Sequence, residues 1–140
     1  MIVNAENALV GRLSVMVAKK LILGEEVAVV NVEKAVFSGE AAKVVEVYRK
    51  RRGMQNKANP EHSAKWPRRP DYLFKRIVGG MLPKKPSGEA ALKRLKAYMG
   101  VPAELTEKAK SAETPKKKAA GLLCDSISLG EMCARLGWKQ

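Results

Sequence analysis

The feature that most constrains this fold is a continuous apolar run at residues 27–32, VAVVNV, in which β-branched residues dominate. A run without polar alternation is typical of a strand buried on both faces, as in parallel sheets covered by helices. Ahead of it, residues 11–24 show helical spacing with Gly24 placed to end the helix, and residues 2–4 suit a short strand. Because parallel strands need a crossover, usually a helix, this order predicts an α/β fold.

Two further elements are predicted before residue 54. Residues 35–37 form a second short apolar run that suits a strand extending the sheet. Ser38 is a good N-cap residue, and a helix is predicted from 39 to 52 with its end at Gly53. The last turn of that helix, residues 49–52, is more basic than the helix dipole alone explains.

Two helices are predicted in the middle of the chain. The segment 71–82 is predicted to hold a helix that begins near Asp71 and that Gly79-Gly80 ends in a C-cap. Residues 87–100 are predicted as a second helix begun by Ser87. Its packed face carries three apolar residues at helical spacing: Leu92, Leu95 and Met99.

Two polar segments break every periodicity. Residues 54–70 hold three prolines and several cations, and we predict an extended basic loop ordered mainly by its partner. Residues 104–121 are polar and lysine-rich, and we predict a mobile extension or a strap across a partner. A short strand at 126–128 and a helix at 129–136 are predicted to follow.

Length and composition indicate one domain. The chain has 140 residues, of which 46% are hydrophobic, enough to bury a core. No apolar run reaches the length of a membrane span, and the first residues lack the layout of a signal peptide, so we expect a cytosolic protein. Cys124 and Cys133 are expected to be reduced thiols, because a metal site needs more ligands than these and His62 provide.

The charge distribution points to an anionic partner. The net charge is +13, and residues 43–86 alone carry thirteen basic and three acidic side chains. A soluble protein without such a partner would mix positive and negative side chains over its surface. A concentrated positive field destabilises the fold through self-repulsion and is usually kept for an anionic partner.

Catalytic motifs are missing from the sequence. Neither G-x-x-x-x-G-K-[ST] nor G-x-G-x-x-G occurs, and nothing near His62 in the sequence supplies a nucleophile with an orienting group. We therefore predict no enzyme. The helix start at Ser87-Gly88 is open to two interpretations, a phosphate contact or simple capping.

The basic middle of the chain has the composition that RNA binding requires. Arginine and lysine contact phosphates, and exposed aromatic rings stack on unpaired bases. Trp66 is open to either stacking or packing, while core packing is favoured for Phe74. A folded RNA suits long basic loops better than duplex DNA does. The residues predicted to contact RNA are Arg49, Lys50, Arg51, Arg52, Lys57, Lys65, Trp66, Arg68, Arg69, Lys75, Arg76, Lys84, Lys85, Lys93, Arg94 and Lys96.

Three blocks of sequence resemble a known family. They are GRLSVMVAKKLILG at 11–24, VVNVEKAVFSG at 29–39 and VGGMLPKKPSGEAALKRLKAYMGVP at 78–102. Together they resemble the universal large-subunit ribosomal protein thirteen family in its archaeal and eukaryotic form, as does the tail ISLGEMCARLGW. The chain departs from that family at Gly79, where a basic residue is common, and in the loop at 59–69.

The resemblance implies a single domain over 1–140 that binds large-subunit ribosomal RNA as a structural component and enters early in assembly. It implies a three-layer α/β/α fold around a small, mainly parallel four-stranded sheet. It also implies neighbouring large-subunit proteins as partners and a cytoplasmic location. No catalysis, cofactor, membrane or small-molecule substrate is implied. The alternative is a non-ribosomal RNA-binding or RNA-processing protein. We further expect Gly79-Gly80 to reverse the backbone, so that Lys84 and Lys85 project from a turn stiffened by prolines.

Overall fold

The β-branched run forms the centre of a parallel sheet. A computed structural model describes residues 1–105 and 125–139 of the chain. Strand β2 (Val27–Val30) pairs in parallel with β1 (Ile2–Asn4) on one edge and with β4 (Leu95–Ala97) on the other. The strand is shorter than the apolar run, because Asn31 adopts a left-handed conformation with φ of 55° and a 3-10 turn, Val32–Lys34, follows. That change of direction ends β2.

The other elements follow in chain order, and most of the predicted ones are present. They are α1 (Val10–Ile22), β3 (Val36–Ser38), α2 (Ala41–Gly53), α3 (Pro70–Met81), α4 (Pro86–Lys93), β5 (Ser126–Ser128) and α5 (Leu129–Arg135). In the described ranges no helix is both long and apolar enough to cross a bilayer. The predicted strap at 104–121 lies almost wholly outside the described residues, as does Cys124.

One face of the parallel sheet carries the main helical layer. Both crossovers, β1 to β2 and β2 to β4, step in the same direction across the sheet, and right-handed connections then place their helices on the same face. Helix α1 accordingly packs against α3 and α4. The buried stripes in this layer are Leu13, Val17 and Leu21 of α1, with Leu73, Phe74 and Val78 of α3.

The other face of the sheet does not match the expected three-layer arrangement. The register aligns Ile2, Ala28 and Lys96 on this face, and the first two are half-buried while Lys96 is exposed. Beside them lie Pro102 and Leu105 rather than an α-helix. Within the described residues, therefore, a second helical layer over this face is not present.

The predicted four-stranded sheet is also corrected. Strand β3 pairs antiparallel with β5 to form a separate two-stranded sheet, with Phe37 opposite Ile127. The turn after β2 redirects the chain, and β3 does not pair with β1, β2 or β4. Helix α5 then packs against that turn and against α2.

The helix predicted at 87–100 is wrong in its second half. Helix α4 ends at Lys93, and residues 95–97 form β4. Leu95 is buried and pairs with Val27, whereas Lys96 is exposed, an alternation with the period of a strand. The spacing of Leu92, Leu95 and Met99 fits a helix locally, but the open edge of β2 offers backbone hydrogen bonds that decide the outcome.

Gly79-Gly80 does not end α3, which continues to Met81. A Cβ on Gly79 would lie 3.3 Å from Leu92 Cδ2, so the missing side chain lets α3 and α4 approach closely. The reversal falls instead at 82–85, and Lys84 and Lys85 are exposed there, as predicted.

Both predicted serine caps are wrong. Ser38 ends β3, Gly39 follows with φ of 112°, and α2 starts only after Glu40. Helix α4 begins with Pro86, so Ser87 lies inside its first turn and makes no cap. Ser128 does cap a helix, because its Oγ accepts a hydrogen bond from the Glu131 amide at 3.2 Å.

Gly88 is the glycine on which the turn between α3 and α4 depends. It is buried, and an added Cβ would overlap the Pro83 carbonyl oxygen. We expect Gly88→Ala to lower the free energy of unfolding by about 1–3 kcal/mol, the usual cost of overpacking. Urea unfolding, monitored by circular dichroism, measures this change in the free energy of unfolding.

Gly80→Ala is the matched control. Gly80 also lies in a helix, is exposed and has open space where a Cβ would be, so alanine should stabilise α3 by up to about 1 kcal/mol. Equal effects of the two substitutions would contradict the close contact between Gly88 and Pro83.

Candidate nucleic-acid interface

Three basic segments meet at Trp66. This half-buried side chain packs against the core, and its ring stands nearly perpendicular to the Tyr48 ring, with centroids 5.8 Å apart. The guanidinium carbons of Arg51 and Arg76 lie 5.3 Å and 5.4 Å from the Trp66 ring centroid. The structure therefore brings together the end of α2, the loop before α3, and α3 itself.

Tyr48 is a part of this cluster that sequence reasoning missed. The guanidinium carbon of Arg51 lies 5.0 Å from the Tyr48 ring centroid, and the Phe37 ring centroid lies 5.5 Å from it. Burial raises the pKa of the Tyr48 hydroxyl, and the Arg51 charge opposes that rise. The available signal was spacing, because Tyr48 precedes Arg51 by one helical turn and so shares its face.

Two of the predicted RNA-contacting arginines support the fold. Arg52 Nη1 donates a hydrogen bond of 2.7 Å to the Leu136 carbonyl at the end of α5. Arg94 Nη2 donates one of 2.9 Å to the Leu21 carbonyl in the last turn of α1. Carbonyls at helix C-termini lack intrahelical partners and carry partial negative charge, so both arginines stabilise helix ends.

Two more predicted cations are paired at the surface. Arg69 donates from Nε and Nη2 to the two Asp71 carboxylate oxygens at 3.2 Å and 2.9 Å, and its guanidinium also lies over the Tyr72 ring. Lys50 pairs with Glu46 at 2.8 Å, and both side chains are largely exposed. The Lys50 pair is the weaker constraint, since exposed pairs contribute little to stability.

The remaining predicted cations make no hydrogen bond or ion pair in the part of the chain that the structure describes. Lys75 is half-buried and the others are exposed. They are Arg49, Lys57, Lys65, Arg68, Lys75, Lys84, Lys85, Lys93 and Lys96. Lys84 and Lys85 share the turn between α3 and α4, whereas Lys96 lies on the open face of the sheet, so these cations do not form one patch around Trp66.

The basic loop before α3 is held by the protein at one end. Residues 54–62 are exposed, and their internal bonds include one of 2.9 Å from the Asn56 amide to Ser63 Oγ. At the other end Trp66 packs on the core. Ordering by a partner stays a prediction for the exposed end, whereas contacts within the protein hold Trp66. Phe74 is fully buried, so core packing is confirmed for it.

The thiol of Cys133 is shielded from solvent. Cys133 is a buried free thiol, and burial raises its pKa to about 12, with the Asp71 charge adding to the rise and Arg52 opposing it. His62 is exposed at the end of a 3-10 turn, Pro60–His62. Among the described residues, no group of three or more His, Cys, Asp and Glu side chains is placed to hold a metal ion.

The fold and the surface together define a class: a small, basic α/β protein whose exposed cations suit a polyanionic partner. Residues 1–104 match the family described as Ribosomal protein L13. The chain belongs to this family, and this membership confirms the resemblance. The family is structural rather than enzymatic.

Several relatives support the assignment over most of the chain. The chain is 43% identical over 107 residues to a protein of Methanocaldococcus jannaschii, which covers 75% of this chain and 78% of the relative. It is 42% identical over 140 residues to one of Aeropyrum pernix, with 99% and 90% covered. It is 40% identical over 144 residues to one of Methanosarcina barkeri, with 99% and 98% covered. Each relative is named Large ribosomal subunit protein uL13.

Neighbouring arginines of α2 are expected to differ in what they stabilise. Arg52→Ala removes the charge-assisted bond to Leu136 and should lower the free energy of unfolding by about 1.5–3 kcal/mol. Arg49→Ala removes an exposed side chain without such a bond and should change the free energy of unfolding by less than about 0.5 kcal/mol. Thermal unfolding of the free proteins compares them, and equal losses of stability would rule out a structural role specific to Arg52.

The Cys133 thiol is expected to be unreactive in the native protein. Its raised pKa leaves very little thiolate at mildly alkaline pH, and burial blocks access. In a Cys124→Ser variant, iodoacetamide should label Cys133 only after unfolding in guanidinium chloride. Rapid labelling of the folded variant, followed by mass spectrometry, would contradict this shielding.

Proposed function

We propose that this protein is a structural constituent of the large ribosomal subunit that binds and stabilises large-subunit rRNA during assembly, without catalysis. The support is family membership, together with relatives over nearly the whole chain that are named as large-subunit proteins. Its location would be the cytoplasmic ribosome, and its partners large-subunit rRNA and neighbouring ribosomal proteins.

The observation that carries this proposal is the set of exposed cations without protein partners in the long connection between β2 and β4. Each cation that neutralises a phosphate releases condensed counterions, so affinity comes from the number of such contacts and falls with salt. Cations already bonded to carbonyls or carboxylates contribute less, because their charge and donors are engaged within the protein. Arg52 and Arg94 therefore act mainly in the fold, and the unpartnered cations act mainly on RNA.

The turn between α3 and α4 is the best-placed phosphate contact. Lys84 and Lys85 are exposed and lie between Pro83 and Pro86, whose rings fix the backbone on either side. The Lys85 carbonyl accepts hydrogen bonds from the Gly88 and Glu89 amides at 2.9 Å and 3.2 Å, which holds the start of α4 against the turn. The two ammonium groups are thus presented from a rigid support.

Replacing both lysines should weaken RNA binding in a salt-dependent way. For Lys84→Ala with Lys85→Ala, the slope of log affinity against log salt should become shallower by roughly 0.7–0.9 for each phosphate that the variant no longer neutralises. Filter binding to a large-subunit rRNA fragment over a salt series measures the slope.

A charge-matched control separates local binding from net charge. Lys34 and Lys43 are exposed lysines outside the predicted interface, paired with Glu6 at 3.0 Å and Glu40 at 2.9 Å. Lys34→Ala with Lys43→Ala removes the same formal charge and should leave the slope nearly unchanged. Equal slopes for the two double variants would remove the turn from the interface.

Fractionation of cell extract tests the ribosomal role directly. At moderate salt the protein should sediment with the large subunit in a sucrose gradient. If it stays at the top of the gradient while other large-subunit proteins sediment, the ribosomal role is wrong. The alternative interpretation, a non-ribosomal RNA-binding protein, is then favoured.

A further inference from the structure

Two arginines share one indole without an acidic partner. Arg51 from α2 and Arg76 from α3 both lie over the Trp66 ring, and Arg51 also lies over Tyr48. Neither arginine has an ion pair with a carboxylate in residues 1–105 and 125–139. Two like charges held around the same ring repel each other, and an anion bound between or beside them would relieve that repulsion.

Arg69 provides an internal comparison. It too lies over an aromatic ring, at 5.0 Å from the Tyr72 centroid, the same distance that separates Arg51 from Tyr48. Its guanidinium is nevertheless occupied, because two of its nitrogens donate to the Asp71 carboxylate. Stacking alone therefore does not leave an arginine available. What distinguishes Arg51 and Arg76 is stacking combined with a charge that no carboxylate neutralises.

Stacking on an aromatic face suits a guanidinium to phosphate recognition. The ring attracts the cation through its quadrupole, and the in-plane N–H groups still point outward, where they match two oxygens of a phosphate. A free arginine loses rotamer entropy when it is fixed, and a stacked one has already lost part of that entropy. Prior orientation therefore raises affinity without adding charge.

We propose that Trp66 is a positioning residue that holds Arg51 and Arg76 as a preformed pair for neighbouring phosphates of one RNA strand. This inference rests on the proposed function. It gives Trp66 a role different from base stacking, since its ring is engaged by Tyr48 and two guanidiniums. It also explains why one end of the basic loop is anchored in the free protein: the anchor completes the site.

The test compares variants that remove the ring with variants that remove the charge. Trp66→Leu keeps every cation, so the affinity for a large-subunit rRNA fragment should fall roughly tenfold with nearly the same salt slope. Trp66→Phe keeps an aromatic face and should recover most of that affinity. Arg51→Ala and Arg76→Ala should each lower the affinity and also flatten the slope.

Conservative and matched controls keep the experiment decisive. Arg51→Lys and Arg76→Lys keep the charge but lose the planar fork, so each should bind more weakly than the wild type. Arg69→Ala should cost less affinity than Arg51→Ala because Asp71 already neutralises Arg69. Circular dichroism confirms that each variant is folded at the binding temperature. If Trp66→Leu does not fold, the two lysine variants decide.

Different results overturn different claims. Wild-type affinity in Trp66→Leu, or in both lysine variants, overturns the positioning role while leaving rRNA binding intact. An equal drop in affinity for Arg69→Ala and Arg51→Ala also overturns it, since the lack of a neutralising carboxylate would then be irrelevant. A wild-type protein that binds no large-subunit rRNA fragment overturns the proposed function, and this inference with it.

Discussion

The parallel pairing of β2 on both of its edges is the constraint on which the rest of the structure depends. Parallel neighbours cannot be joined by hairpins, so each pairing requires a long crossover. The second crossover, residues 31–94, contains every predicted RNA-contacting residue except Lys96. Once β4 pairs with β2, the right-handed connection places α3 and α4 on the face that α1 already covers. The sheet thus determines where the positive charge is carried, although the sheet itself is nearly neutral.

The cations in this connection are of two kinds, and the net charge does not separate them. Arg52 and Arg94 reach carbonyls at the ends of helices that are remote in sequence, so part of the charge holds α5 and α1 in place. Lys84 and Lys85 have no such bonds in the described residues and remain available. The bonds of Arg52 and Arg94 to these partly negative carbonyls also offset part of the self-repulsion that a concentrated positive surface imposes on the free protein.

The sequence predicts local structure well where one signal dominates. The β-branched run of β2 favours a strand and the apolar stripe of α1 favours a helix, and both elements are found. The segment at 87–100 carries two signals, a helical stripe and the alternation of Leu95, Lys96 and Ala97. Only the open edge of β2, which is distant in sequence, decides between them. Prediction fails where the deciding interaction is non-local.

At the candidate site, the contacts of the side chains likewise depend on interactions that are non-local in sequence. Composition identifies a basic region with aromatic residues, but it does not show which cations are bonded to other groups of the protein. Arg51 and Arg52 are adjacent in sequence, yet one lies over two aromatic rings and the other caps α5. Likewise Trp66 is equally suited by composition to stacking on a base or packing on the protein. These assignments follow from the tertiary placement of α2, α3 and α5.

The glycines of the block at 78–102 illustrate how a motif can suggest the wrong chemistry. The helix start at Ser87-Gly88 is compatible with a phosphate contact, but Gly88 is required by its close packing against the Pro83 carbonyl, and Gly79 lies close to Leu92. In the proposed interface, their effect on RNA binding would be indirect. By bringing α3 and α4 together they form a short, stiff turn, and the lysines on that turn supply the charge. In the proposed interface, the same rigidity that excludes a side chain at Gly88 would also fix where Lys84 and Lys85 meet a phosphate.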